Sequence, residues 1–338
     1  MKAILRSRYG PPDVLALRDV PIPVPQAGEV LVRVHAASVN RADLDYLTGK
    51  PFITRMGTGI PGPRHAGVGL DAAGIVEAVG AGATRFEPGD RVFGNLTQYG
   101  YGAFAEYACA PERAWAPMPS GATFEMAAAL PEAAILAWQG MRGGRSIKSG
   151  DSVLINGASG NVGPFAVQLA KSFGAEVTGV CSTPKMDFVR SLGADHVIDY
   201  TRDDYTRMGA RYDYILDITA RRSLLAPRRA LKRGGVYVMV GGTTGAIFEG
   251  LLLGPLVSLA VGRKLGLMLW WKPFDPSDVA ILSRLLGAGT IKPVIDRRYP
   301  LAEVPEALQD LAAGRPAGKL IITVRDEETG LASGTAAG

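Results

Sequence analysis

Cysteine is scarce in this chain of 338 residues: there are two, Cys109 and Cys181, and their wide separation rules out a metal knuckle. Two cysteines also cannot form the multiple bridges of a disulfide scaffold. Such sparing use fits a reducing cytoplasm, and that is the expected compartment. Histidine is rarer than chance would give, with His35, His65 and His196 scattered along the chain. No uninterrupted apolar run reaches the ~20 residues needed to cross a bilayer. The stretch 245–271 is unusually apolar, but Arg263 and Lys264 interrupt it, and Gly254-Pro255 is expected to break any helix. It reads as a substrate-pocket wall or a subunit interface, with peripheral membrane contact the lesser alternative. The opening Met1–Arg6 reads as the start of a strand, not as a signal peptide.

Hydrophobic residues make up 47% and charged residues 20%, a balance that favours a packed globule over disorder. The length suits two domains. The net charge of +5 is spread out, apart from one cluster of Arg221, Arg222, Arg228, Arg229, Lys232 and Arg233. No aromatics interleave with it to stack bases, so it reads as the solvated face of a helix and no nucleic-acid partner is expected.

Residues 1–120 are rich in Val, Gly and Pro. The runs 29–39, 72–80 and 90–94 read as strands bounded by turn residues, giving a β-rich, barrel-like unit. An Ala-rich helical pattern covers 124–143. Strands at 152–156, 175–181, 196–200, 212–218 and 234–241 then alternate with helical segments, with a sixth plausible at 265–271. That rhythm implies an α/β fold with a doubly wound parallel sheet. The chain returns through a helix at 278–287, a strand at 294–300, a helix at 303–313 and a strand at 319–324. The small, polar tail 326–338 is expected to be disordered.

The stretch "NGASGNVG" (156–163) lies between the first of these parallel strands and a helix. Gly157 and Gly160 suit a tight turn and close approach of the backbone to a pyrophosphate. Gly163 lets the helix pack on the sheet, and Pro164 suits its first turn. The helix N-terminus offers unpaired N–H groups and a favourable dipole to phosphates. The strict G-x-G-x-x-G pattern is relaxed, with Ala158 at its first glycine. No Gly-Lys-Ser/Thr follows, which excludes a Walker loop. Ala158, Ser159, Gly160, Asn161, Val162 and Gly163 are therefore the expected dinucleotide cradle. Ile218 and Thr219, and Gly241, Gly242 and Thr243, follow the fourth and fifth strands at the ends where a dinucleotide lies. The second strand ends without the acid that binds a ribose 2′-OH. Ser182, Thr183 and Lys185 stand there and suit a 2′-phosphate, so NADPH is expected over NADH.

"GASGNVGPFAVQLAKSFGAEV", with "GLDAAGIVEAVGAG", "FEPGDRVFG", "GAFAEYA", "LGADHVIDY" and "GKLIITV", resembles the medium-chain dehydrogenase/reductases over about residues 1–325. The resemblance implies a GroES-like β-barrel-type catalytic domain (1–120 and 272–325) around a Rossmann NADP-binding domain (121–271). It also poses the question of zinc. Catalytic zinc needs three ligands of Cys, His or carboxylate type. Where the zinc enzymes have a cysteine and a Gly-His-Glu motif, this chain has Asn40-Arg41-Ala42-Asp43 and Gly69-Leu70-Asp71. It therefore looks like the zinc-free quinone oxidoreductase (zeta-crystallin-like) and enone reductase branch. That branch implies hydride transfer from NADPH to a quinone or an activated alkene, with no metal. The apolar run 265–271 could be an edge strand, and pairing with a second copy would cover it, so a homodimer is expected. The implied catalytic residues are Asn40, Asp43 and Tyr46, although the tyrosine of that pattern stands where this chain has Asp45. Lys319 and Asn40 are implied to approach the cofactor. Leu136 replaces the family's usual cofactor-contacting Thr. A metal-free alcohol dehydrogenase or ketone reductase remains open as an alternative, as does a protein that binds NADPH without turnover.

Overall fold

Six parallel strands form the sheet in the middle of the chain: β1 (Ser152–Asn156), β2 (Glu176–Cys181), β3 (His196–Asp199), β4 (Tyr212–Asp217), β5 (Leu231–Met239) and β6 (Lys264–Leu267). The computed structural model describes residues 1–325 except Gly144 and 262–263, and the side chains of 255–264 are also outside the description. The tail 326–338, expected to be disordered, lies outside the described residues.

The strand order is β3-β2-β1-β4-β5-β6. It reverses between β1 and β4, and the crevice at such a reversal is where doubly wound sheets bind ligands. Val153, Leu154 and Ile155 of β1 are fully buried, which is why that strand reads as a continuous apolar run. Each such side chain contributes about 1.5–3 kcal/mol by leaving water.

The second large sheet is almost wholly antiparallel. Its order is 295–300, 319–323, 29–39, 71–79, 91–95, 115–117, with 107–111 also paired to 29–39. The long strand Glu29–Val39 organises it. Its first half pairs with 107–111 and its second half with 319–323, on the same edge. Three registers then converge at one end: Leu320 pairs with Val39, Ser38 with Asp71, and Asp71 with Asn95. Residues 280 positions apart in the chain are brought together there.

Three expectations are corrected. Residues Thr244–Val261 form one helix that runs through Gly254-Pro255. Packing outweighs the local breakers: Ala246, Gly250 and Gly254 are buried one turn apart, and Gly250 lies against Met239 and Leu267. The strand predicted at 265–271 is shorter, ending at Leu267. The basic cluster is not a helix face. It spans a loop, a short 3₁₀ turn (Pro227–Ala230) and the start of β5, where Arg222 pairs with Asp204 and Lys232 with Asp213. Among the described residues, no helix is long and apolar enough to cross a membrane.

Candidate active site

The glycine loop crosses from β1 to the helix Gly163–Ser172. Gly157 sits at φ +88°, a region that side chains rarely adopt. A Cβ on Gly163 would stand 2.4 Å from the Ala158 carbonyl, so only glycine allows this close crossing. Asn161 Oδ1 is buried without a partner among the described residues, while its Nδ2 donates to Val39 O at 3.0 Å. Gly318 N donates to Ser159 O at 3.2 Å. The loop is thus bonded to the chain neighbours of both Asn40 and Lys319.

The other expected cofactor positions surround the same crevice. Thr219 N donates to the Asp217 carboxylate, which also holds Asn156 Nδ2 at 2.7 Å and Tyr237 OH at 2.9 Å. Ala220 N to Gly241 O and Thr243 N to Ala220 O zip the loops after β4 and β5 together. Ser182 is half-buried, and Thr183 Oγ1 donates to Asp199, an acid at the end of β3. Lys185 turns its ammonium toward the carbonyls of Gly314 (2.8 Å) and Pro316 (2.6 Å), so it bridges to the returning segment. Tyr200, whose N–H reaches Cys181 O, presents a mostly exposed ring beside them and was not foreseen from the sequence. The cradle suits a dinucleotide: it has helix amides, a side-chain-free crossing and an orphaned amide oxygen.

A buried polar cluster lies across from the loop. Asn40 caps the helix Arg41–Thr48, and its N–H donates to Asp43 Oδ2 at 2.7 Å. Its side chain points the other way. Nδ2 donates to Asp71 Oδ2 at 2.9 Å, and Oδ1 accepts from Lys319 Nζ at 2.6 Å. Capping and site placement therefore belong to the same residue. Asp71 also accepts from Asn95 Nδ2 (2.8 Å), Glu132 N (3.1 Å) and Ser38 Oγ (3.3 Å). Tyr46 is half-buried and stacks at a tilt on Tyr101, ring centroids 5.3 Å apart. Arg6 donates to the Tyr46 carbonyl and, with Asp43, Tyr46, Leu70 and Tyr101, lines a small cavity. None of the described residues of 245–271 lines that cavity.

Burial dominates the electrostatics. It pushes the Asp43 carboxyl well above the usual range, and the nearby Asp71 charge adds to this. Burial also raises Asp71, against the pull of Lys319 and its donors. Burial and the Asp71 and Asp43 carboxylates push Glu132 up to about 8. The Lys319 ammonium is lowered by burial, and the Tyr46 phenol is raised by it.

Sequence reasoning placed Asn40, Asp43, Tyr46 and Lys319 here. It missed Asp71, Asn95 and Glu132 as site groups. Their signal was a lone polar residue in an apolar run, as in "LPEAAILAW". Leu136 lies one helical turn after Glu132 and is half-buried. His35 stacks on Phe124 and His196 pairs with Glu176, away from this cluster. Among the described residues no group of three His, Cys, Asp or Glu is arranged to hold a metal ion.

Comparison with known proteins agrees with this architecture. Residues 26–120 match the alcohol dehydrogenase GroES-like domain, and 192–322 match the model described as zinc-binding dehydrogenase. The chain is 32% identical to mouse NAD(P)H oxidoreductase RTN4IP1, mitochondrial, covering 96% of this chain and 89% of that one. It is 32% identical to tomato 2-methylene-furan-3-one reductase, over 95% and 79%. The structure of the quinone oxidoreductase from Coxiella burnetii superimposes with a TM-score of 0.85 at 30% identity, over 96% and 99%. The chain belongs to the medium-chain dehydrogenase/reductase family, in its quinone oxidoreductase and enone reductase branch.

Proposed function

We propose that the protein is an NADPH-dependent reductase that delivers hydride to a quinone or to the activated C=C of an enone or enal. The observation that carries this is the bonding of the glycine loop to Val39 and Gly318. It sets the dinucleotide crevice against the Asn40–Lys319–Asp71 cluster. The cofactor is a nicotinamide dinucleotide, which supplies hydride when bound. We assign its pyrophosphate to 158–163, its adenosine end to Ser182, Thr183 and Lys185, and its far end to Asn40, Lys319 and the loops 218–219 and 241–243. NADPH is favoured because no acid closes β2 and because Ser182, Thr183 and Lys185 follow it, groups whose chemistry suits a 2′-phosphate.

The chain's own groups orient and activate the acceptor. Tyr46, Asn40 and Asp43 border the place where a substrate oxygen would sit, and hydrogen-bond donors there stabilise charge developing on it. We read the reaction as metal-free, because two of the ligand positions hold Asn40 and buried Leu70, neither of which is a Cys, His or carboxylate ligand. The test is NADPH oxidation, with NADH in parallel, against an ortho-quinone, a cyclic enone, a 2-alkenal and a simple ketone after EDTA treatment. EDTA-resistant turnover of quinone or enone supports the reading. Turnover of the ketone alone, or loss on chelation, overturns it.

We also propose a homodimer in the cytoplasm. Among the described residues strand β6 is the last strand of its sheet, and beside it Phe248, Leu251, Leu252, Leu253, Leu269 and Trp270 are exposed. A second copy would continue the sheet and cover these side chains. A monomeric mass in light scattering counts against it.

A further inference from the structure

Three buried carboxyl groups, Asp43, Asp71 and Glu132, share one cluster with a single ammonium, Lys319. Burying an unpaired charge is costly, so the cluster approaches neutrality only when two of the three carboxyls keep a proton. The hydrogen bonds say which. Asp71 collects four donors from Ser38, Asn40, Asn95 and the Glu132 amide, an arrangement that suits a carboxylate. Asp43 keeps Oδ1 buried and without a partner among the described residues, and its other oxygen is committed to the Asn40 amide. The Glu132 carboxyl receives one long contact, 3.4 Å from Asn95 Nδ2. It is the carboxyl least held as an anion, and a charge on it would raise the Tyr46 phenol.

We propose that Glu132 is the proton donor of the reduction, a carboxylic acid that protonates the substrate oxygen as hydride arrives. This rests on the function proposed above and adds the group that completes it. For an enone, hydride adds to the β-carbon, and the alkene π pair moves to the carbonyl oxygen as an enolate. The Glu132 O–H bond breaks, its electron pair stays on the carboxylate, and the proton goes to the enolate oxygen. The enol then tautomerises, and water restores the Glu132 proton. The substrate gains two electrons and two protons in all, and the cofactor loses one hydride. The groups facing Glu132 are Asp71, Asp43, Lys319 and Tyr46. Burial, with Asp71 next, holds its proton up to about 8, near the pH at which a general acid works best.

The test uses the full chain and Glu132→Gln, with Glu132→Asp as the variant that keeps an ionisable group. Infrared pH-difference spectra of the protein without substrate read the proton directly. The wild type should lose a carboxylic acid C=O band as pH rises through about 8, and Glu132→Gln should lack that band. Enone turnover should fall by about 10²–10⁴-fold in Glu132→Gln, with NADPH affinity unchanged and partial recovery in Glu132→Asp. The fall in wild-type turnover above pH 8 should disappear in Glu132→Gln. Absence of the band, or turnover within about threefold of wild type, overturns the proposal. If the wild type reduces none of the panel, the functional reading fails and the catalytic role falls with it. The infrared band then separately decides whether Glu132 carries a proton.

Discussion

Lys319 Nζ lies 2.6 Å from Asn40 Oδ1, and the same amide hands its Nδ2 to Asp71 at 2.9 Å. Asn40 is thus a polarised link between a buried cation and a buried anion. All three groups are at most 2% exposed. Removing one charge of such a set leaves the other uncompensated, which is the expensive case. Lys319→Met should cost about 3–5 kcal/mol of stability, measured by urea denaturation. Asp71→Asn alone should also destabilise. The double variant should lose clearly less than the sum of the two, because both charges are then gone. Strict additivity in that cycle would show that the two charges are not coupled through Asn40.

Glu132 makes a separate prediction about stability. The unfolded carboxyl releases its proton near 4.5 and the folded one near 8. Between those values the folded chain holds more protons than the unfolded one, so rising pH favours unfolding. The slope from one such group is at most about 1.4 kcal/mol per pH unit. Wild-type stability should therefore fall from pH 5 to 8, and Glu132→Gln should remove that part of the fall. The variant should gain on the wild type in thermal melting as pH rises. Parallel melting curves for the two proteins would contradict it.

The alternation of strands and helices from 152 onward was legible because buried parallel strands are short apolar runs bounded by turn residues. "SVLIN" and "YDYILD" carry their own boundaries. The glycine loop was legible for the same local reason. The polar cluster was only half legible. Asn40 and Asp43 sit in one helix-capping motif, but Asp71, Asn95 and Lys319 are gathered by sheet register, and Glu132 joins them from the first turn of the helix Pro131–Gly140, relationships that one sequence does not display. The helix Thr244–Val261 was misread because Gly254-Pro255 breaks helices locally, and close packing against β5 and β6 outweighs that. The domain division remains our proposal. Helix Pro276–Gly287 complicates its boundary at 272, because Asp278 in that helix binds Trp138, Gln139 and Arg142.

Two glycines of the loop should separate folding from binding. At Gly163 an added methyl group meets backbone at 2.4 Å, whereas at Gly160 the nearest atom is 3.6 Å away. Gly163→Ala should destabilise the protein by about 1–3 kcal/mol even without cofactor, seen as a lower melting temperature. Gly160→Ala should melt like the wild type and weaken dinucleotide binding, because it fills space where the pyrophosphate backbone approaches. Equal melting losses in both variants would mean that the loop is less closely packed than its geometry indicates.

Lys185 tests the choice between the two dinucleotides. Its ammonium now spans the carbonyls of Gly314 and Pro316, so it must share or exchange these contacts to meet a 2′-phosphate. A charged hydrogen bond to that phosphate is worth about 1.5–3 kcal/mol. Lys185→Ala should therefore weaken NADPH binding by about 10- to 150-fold, as read by fluorescence titration. NADH carries no 2′-phosphate, and its affinity should change by less than about threefold through the lost bridge to 314–316. An equal loss for both cofactors would assign Lys185 to the bridge alone. The preference for NADPH would then rest on the absence of an acid at the end of β2 and on the Ser182 and Thr183 hydroxyls.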